Sequence, residues 1–209
     1  MSPSTTAPAS ASGTIPRVVS VILNTNRCTD TLECLASLEK SSYPEQQALV
    51  LDNASTDGSV EAIRSAFPDV RVISLASNLG YAGNNNTGIA AALAAGADWV
   101  FVLNEDTVLA ADCLTHLVEA GERDPGIGIV GRLVYHHNEP NLIQSAGGKL
   151  TRYWESFHLA QNAPDEGQFS EPHAVDWISG CGILIRRSVI EQVGMIDPHY
   201  FYFWEETEW

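Results

Sequence analysis

Basic side chains are scarce in this 209-residue chain. Eleven Lys and Arg stand against 26 Asp and Glu, lysine occurs only at Lys40 and Lys149, and the formal net charge is −15. A surface this acidic repels phosphate backbones, which excludes general nucleic-acid binding. It still admits a small phosphorylated ligand if a metal cation or backbone amides offset the charge; the rest of the excess serves solubility. Cysteine is sparse too. Cys28, Cys34, Cys113 and Cys181 form no CxxC pair and have no zinc-ligand spacing, so free thiols in a reducing compartment are expected rather than disulfides or a zinc site. The longest apolar runs, residues 99–103 and 18–23, are far too short to span a bilayer. The first fifteen residues have neither a basic n-region nor an apolar h-region, so they are not a signal peptide. Rich in Ser, Thr, Ala and Pro, residues 1–16 read as a disordered leader, and the whole reads as cytoplasmic.

What is present is a normal globular share of hydrophobic residues, 44%, in short runs separated by amphipathic stretches. Strands are expected at 18–23, 49–51, 70–75 and 99–103, from apolar, β-rich composition. Between them lie four helices. The first is capped by Thr29 or Asp30 and carries Leu32, Leu35 and Leu38; the second is capped by Asp57 and carries Val60, Ile63 and Phe67. The third is an Ala-rich stretch at 82–95 stopped by Gly96, and the fourth spans 110–122. This alternation predicts an α/β fold with a mostly parallel sheet flanked by helices. Beyond residue 126 the helix signal fades, and turns with short strands suggest a smaller antiparallel part. A strand at 182–185 and a short helix at 187–193 follow.

In such folds ligands bind beyond the carboxyl ends of the strands, and the polar clusters sit there. They are residues 24–27, the DNASTDGS run at 52–59, the NLGYAGNNNTG run at 78–88, and Asn104-Glu105-Asp106. Asp52 ends a buried strand and can accept from a ring N–H or ribose hydroxyl. The helix start at 78–88 offers backbone amides to an anion and Asn side chains to a base or sugar. The ligand-contact candidates are therefore Asn24, Asn26, Asp52, Asn78, Gly80, Asn86, Asn104 and Glu105. Asp106 is the metal-ligand candidate, because hard cations such as Mg²⁺ or Mn²⁺ take carboxylate oxygens together with substrate phosphates. Near the end, Glu205-Glu206-Thr207-Glu208 lies among aromatics, and apolar surroundings raise a carboxylate's proton affinity as a general base requires.

Taken together these segments, with GCGILIRR at 180–187 and VGMID at 193–197, resemble family 2 glycosyltransferases with the GT-A fold, most closely their rhamnosyltransferase-like branch. The resemblance covers about residues 17–209, which it implies to be one GT-A domain whose chain stops inside the family's last motif, so that a further C-terminal segment is expected. It implies a nucleobase contact for Asp52, with the Asn24 region in the same pocket. It puts Asn86 near base and ribose, Asp106 at the last acid of the DxD-type metal motif, and Glu206 where the family usually carries the catalytic Asp of the ED pair. Departures are Glu205-Glu206 for Glu-Asp, Asn104 at the first DxD position, Asn84 where a glycine is common, and Arg27 where a small residue is frequent.

The implied reaction is inverting transfer of a rhamnose or other hexose from a dTDP- or UDP-sugar to a hydroxyl of a glycan or lipid-linked saccharide. Mg²⁺ or Mn²⁺ would be held by Asp106, Glu206 would act as base, and a lipid acceptor would bring the protein to the cytoplasmic face of the membrane. Two other readings stay open: a nucleotide-sugar-binding module without turnover, and a nucleotidyltransferase. The latter would usually show a glycine-rich basic loop after the first strand, and residues 24–29 are not that. A dinucleotide-dependent oxidoreductase is disfavoured by the lack of GxGxxG there.

Overall fold

A sheet of six strands organises the molecule, in the order β3-β2-β1-β4-β10-β5 among the residues that the computed structural model describes, 14–201 and Thr207. The chain runs β1 (Val18–Asn24), α1 (Cys28–Glu39), β2 (Gln46–Asp52), α2 (Ser59–Ala66), β3 (Arg71–Ser74), α3 (Gly80–Ala94), β4 (Trp99–Asn104) and α4 (Cys113–Glu122). It continues through β5 (Ile129–Gly131), β6 (Val134–His136), β7 (Glu139–Ser145), β8 (Gly148–Leu150), β9 (Ser156–His158), β10 (Gly182–Arg186) and α5 (Arg187–Val193). β1 pairs in parallel with β2 and β4, and β2 with β3. β10 runs antiparallel between β4 and β5.

The continuous apolar runs of β1 and β4 follow from helices covering both faces. Side chains alternate between two cores. Val18, Ile22, Val50, Trp99, Phe101 and Leu103 meet Leu35 and Leu38 of α1, Ile63 of α2 and Leu114, Leu117 and Val118 of α4. Val19, Val21, Leu49, Leu51, Val100 and Val102 meet Ala82, Ile89 and Ala92 of α3 and Ile190 of α5. The antiparallel part consists of two hairpin-like pairs, β6-β7 and β8-β9.

Helix starts differ from the sequence reading. α1 begins at Cys28 after Arg27, not at a Thr29 or Asp30 cap; Asp30 lies in its first turn and pairs with Arg27 at 2.9 Å. The residue before α2 is Gly58, at φ +84, a conformation that glycine reaches without a Cβ penalty. Asp57 stands one residue earlier and accepts the Ser59 N–H at 3.1 Å. α3 starts at Gly80 rather than Ala82, which draws the Asn84–Asn86 triplet into the helix. α4 starts three residues later than expected. At the N-terminus the chain is anchored before residue 17, since the Pro16 carbonyl accepts the Tyr43 hydroxyl at 2.5 Å. Residues 1–13 of the expected leader lie outside the described residues. All four cysteines are free thiols. No helix among the described residues is long and apolar enough to cross a membrane.

Candidate functional site

The carboxyl ends of three adjacent strands place the sequence candidates side by side. Asn24 is the register partner of Asp52 across β1 and β2, and Leu23 is that of Asn104 across β1 and β4. Neighbouring strands stand about 4.8 Å apart, so Asp52, Asn24 and Asn104 form one row. Asn24 is fully buried and Asp52 nearly so. The Asn24 amide Nδ2 donates to Asp52 Oδ1 at 2.9 Å and to Ser55 Oγ at 3.0 Å. Its Oδ1 accepts from Thr31 Oγ1 at 2.9 Å and from the Arg27 N–H at 3.3 Å. Asn24 therefore spends its whole hydrogen-bonding capacity on orienting Asp52 and fixing the start of α1. Asp52 Oδ2 accepts the Ser55 N–H at 3.2 Å. A carboxylate offers about four lone-pair sites, so acceptor capacity remains for a ligand donor.

Around this row two loops are stitched together. Asn26, at φ +52, accepts the Thr56 N–H at 2.8 Å, and its own N–H donates to Ser55 Oγ at 2.9 Å. The Cys28 N–H donates to Asp57 Oδ2 at 3.0 Å. The Ser59 hydroxyl is the first of the donors that hold the Asp57 carboxyl below its usual range, ahead of the Cys28 and Ser59 amides. Asn26 itself is exposed at the rim.

The start of α3 is closed rather than open. Asn78 Oδ1 accepts the Gly80 N–H at 2.9 Å and Asn84 Nδ2 at 3.2 Å. Asn84 Oδ1 accepts the Leu79 N–H at 3.0 Å, and the Tyr81 N–H donates to the Phe201 carbonyl at 2.8 Å. The expectation that these first amides meet an anion is thus corrected for Leu79, Gly80 and Tyr81, because side chains and a distant carbonyl already satisfy them. Gly80 is needed for contact: at φ +75, a Cβ there would stand 2.4 Å from the Phe201 carbonyl oxygen. Asn86 is half-buried, with its carboxamide bonded both ways to the main chain of Ile196, Nδ2 to O at 2.7 Å and N–H to Oδ1 at 3.1 Å.

At the end of β4, Asn104 and Glu105 are half-buried and Asp106 is exposed. Burial, the largest cause, pushes the Glu105 carboxyl up, and the neighbouring Asp106 charge adds to it. Among the described residues no three His, Cys, Asp or Glu side chains converge as a metal site. Glu206, and with it Glu205 and Glu208, lies outside the described residues.

Several neighbours escaped the motif reading. Tyr81 donates its hydroxyl to the Gly180 carbonyl at 2.8 Å and reaches Asn104 Oδ1 at 3.5 Å. Arg132 donates through Nη2 to the Cys181 carbonyl at 2.7 Å and to Thr107 Oγ1 at 3.4 Å. It lies across Gly182, where a Cβ would come within 2.3 Å of Nε. A cavity of about 1010 Å³, lined by Cys113, His116, Arg132, Phe169, Trp177 and Thr207 among others, opens between α4 and the 169–178 loop. In the sequence only the GCGILIRR run at 180–187 marked this region; the β5-β10 pairing brings Arg132 beside it.

The family model described as "Glycosyl transferase family 2" matches residues 20–194. An N-acetylglucosaminyl-diphospho-decaprenol L-rhamnosyltransferase of Mycobacterium tuberculosis is 31% identical over 194 residues, covering 83% of this chain and 62% of that protein. A poly-beta-1,6-N-acetyl-D-glucosamine synthase of Staphylococcus epidermidis is 26% identical over 170 residues, covering 80% of this chain and 38% of that protein. Among solved structures, the mannosyltransferase PcManGT of Pyrobaculum calidifontis, in complex with GDP-Man and Mn²⁺, superposes with a TM-score of 0.64 at 21% identity, covering 89% of this chain and 49% of that one. S. aureus TarS 1–349 in complex with UDP gives 0.64 at 15% identity, covering 91% and 53%. The chain spans less than two thirds of each of these proteins. The shared fold is GT-A.

Proposed function

This chain belongs to glycosyl transferase family 2, and from that premise we propose that it moves a sugar from a nucleotide-diphosphate donor to an acceptor hydroxyl with inversion. The observation that carries this is the row of Asp52, Asn24 and Asn104 at adjoining strand ends, with Glu105 and Asp106 immediately beyond. Asp52 reads the nucleobase through its spare acceptor sites. Asp106 is the residue that would hold Mg²⁺ or Mn²⁺; a hard cation held by one or two carboxylates with substrate phosphates and water fits a single exposed acid. When bound, that cation offsets negative charge on the departing diphosphate. Glu206 takes the acceptor's proton. The similarity to an N-acetylglucosaminyl-diphospho-decaprenol L-rhamnosyltransferase supports a rhamnose or other hexose as the sugar and a glycan or lipid-linked acceptor; the donor we propose is a dTDP- or UDP-sugar. The same acceptor would bring a cytoplasmic protein to the inner membrane face. The cavity beside Arg132 offers room for that acceptor.

The test is calorimetric titration with UDP, dTDP and GDP, with and without Mn²⁺, followed by nucleoside diphosphate release from the matching sugars. One nucleotide should bind in a cation-enhanced way, and Asp52→Ala should weaken it roughly tenfold or more, the worth of a hydrogen bond to a charged group. Absence of binding by all three would overturn the reading. Binding without release in the presence of acceptor would mark a nucleotide-sugar-binding module instead.

A further inference from the structure

Arg132 is a half-buried cation whose hydrogen-bond partners are all neutral. Its guanidinium lies against Gly182, where a Cβ would come within 2.3 Å of Nε and 2.7 Å of Cζ. Nη2 donates to the Cys181 carbonyl at 2.7 Å and to Thr107 Oγ1 at 3.4 Å. Nε is buried and has no acceptor among the described residues. No described carboxylate pairs with the group, whereas Arg27, Arg186 and Arg187 stand 2.9, 3.0 and 3.5 Å from Asp30, Glu122 and Glu191. A charge taken partly out of water is costly unless it is paired. With Nε covered and Nη2 engaged, Arg132 keeps the N–H pair of Nη1 for an anion, and a guanidinium suits phosphate oxygens.

Arg132 also belongs to the wall of the cavity of about 1010 Å³. Its bond to Thr107 ties it to the end of β4, next to Asp106. Farther along, the wall is apolar, with Leu117, Val130, Phe169, Trp177 and Ile178. Three carboxylates line the same space. Asp112 faces His116 at 3.4 Å, Asp176 takes the Lys149 ammonium at 3.1 Å and the Leu150 N–H at 2.9 Å, and Glu171 is exposed. Burial pushes the Cys113 thiol of this wall up, and the Arg132 charge opposes that push, so its field reaches into the cavity.

We infer that the cavity takes a phosphate-bearing amphiphile as the sugar acceptor, with Arg132 on the phosphate and the apolar wall on the hydrocarbon chain. This rests on the function proposed above. It narrows the acceptor from glycans in general to lipid-linked ones that carry phosphate or diphosphate. A neutral glycan leaves the Arg132 charge unpaired and sets hydroxyls against an apolar wall. An amphiphilic phosphate meets both surfaces, which makes Arg132 a specificity-determining residue.

The test is calorimetric titration of the full chain with octyl phosphate, butyl phosphate and octyl glucoside, each below its micelle concentration. Octyl phosphate should bind about tenfold or more tighter than octyl glucoside, the worth of a hydrogen bond to a charged group. It should exceed butyl phosphate by about tenfold or more as well, because the longer chain leaves water. Arg132→Gln should weaken octyl phosphate about tenfold or more and leave octyl glucoside unchanged. Arg132→Lys, which keeps the charge and loses the fork, should recover part of the loss. Saturating UDP with Mn²⁺ should not displace octyl phosphate, and UDP should bind Arg132→Gln as it binds wild type. Equal affinity for octyl phosphate and octyl glucoside overturns the inference, as does octyl phosphate binding that Arg132→Gln leaves intact. Competition between UDP and octyl phosphate, or loss of UDP affinity in Arg132→Gln, overturns it too, because the arginine then serves the donor's diphosphate. If Arg132→Gln does not fold, the wild-type comparisons with octyl glucoside and with UDP decide. Octyl phosphate bound in this pattern without any nucleoside diphosphate binding supports the cavity's ligand chemistry and fails the proposed transfer. Nucleotide binding without octyl phosphate binding fails only this inference.

Discussion

Glu206→Gln should lower sugar transfer by roughly 10²–10⁴-fold, the usual worth of a positioned general base, while leaving nucleoside diphosphate affinity within about twofold of wild type on the same principle. Glutamine preserves the shape of glutamate but cannot accept a proton near neutral pH, so the substitution removes the chemistry and keeps the size of the side chain. The reaction needs such a group because an acceptor hydroxyl attacks the anomeric carbon poorly unless its proton leaves as the bond forms. Among the described residues the rival is Glu105. It follows β4 directly, is half-buried, and burial raises its proton affinity, as suits a base. Glu105→Gln is therefore the paired control. A large loss of transfer in Glu105→Gln with none in Glu206→Gln moves the role to the strand end. A loss of nucleotide binding in Glu206→Gln sinks the assignment of that residue as base. Glu205→Gln completes the set, because the neighbouring acids differ from the usual Glu-Asp order and only the reacting one should show the full effect.

Much of the framework was legible before any coordinates. Residues 18–23 and 99–103 read as buried strands because both of their faces are apolar, and both are covered. The same pattern located the polar end of the sheet, because the polar residues begin where the apolar runs stop. Asn24, Asp52 and Asn104 accordingly fall in one row. Local spacing could not reveal what those side chains bond to. A run of three asparagines near a glycine looks like a ligand loop, yet Asn84 closes the start of its own helix and Asn86 ties that helix to a residue 110 positions away. Asn85 is likewise turned inward, donating to the Tyr81 carbonyl at 3.0 Å. Helix starts were misjudged for a related reason. The Arg27 N–H is met by Asn24 across the loop and the Cys28 N–H by Asp57 of another loop, so α1 needs no Ser, Thr or Asp at its own cap. Arg132 carried no motif at all, and its place beside Thr107 depends on which strand neighbours β10.

Gly88→Val should destabilise the fold by about 3 kcal/mol or more, a large share of the roughly 5–15 kcal/mol that holds an ordinary domain together. Gly88 lies on the face of α3 that rests on the sheet. A Cβ built there would stand 2.3 Å from Val21 Cγ1 and 2.8 Å from Leu51 Cδ1, and both of those side chains are fully buried. Two effects oppose each other when the side chain is alanine. Alanine gains about 1 kcal/mol over glycine in a helix interior, whereas forcing a methyl into a filled core costs about 1–3 kcal/mol. The contact distances decide the sign, since neither neighbour has open space to retreat into, and Gly88→Ala should be a net loss of up to about 2 kcal/mol by those figures. Valine keeps the clash, adds two more methyl groups and forfeits most of the helix gain. Urea unfolding of both variants measures this directly. Val21→Ala, which removes the nearest obstructing methyl, should recover part of the Gly88→Ala loss, and a double-mutant cycle should show that recovery as a coupling between the two sites. A Gly88→Ala protein more stable than wild type would mean that α3 stands farther from β1 than described. It would also loosen the placement of Tyr81 against Asn104, because the same helix carries Tyr81 to the crevice.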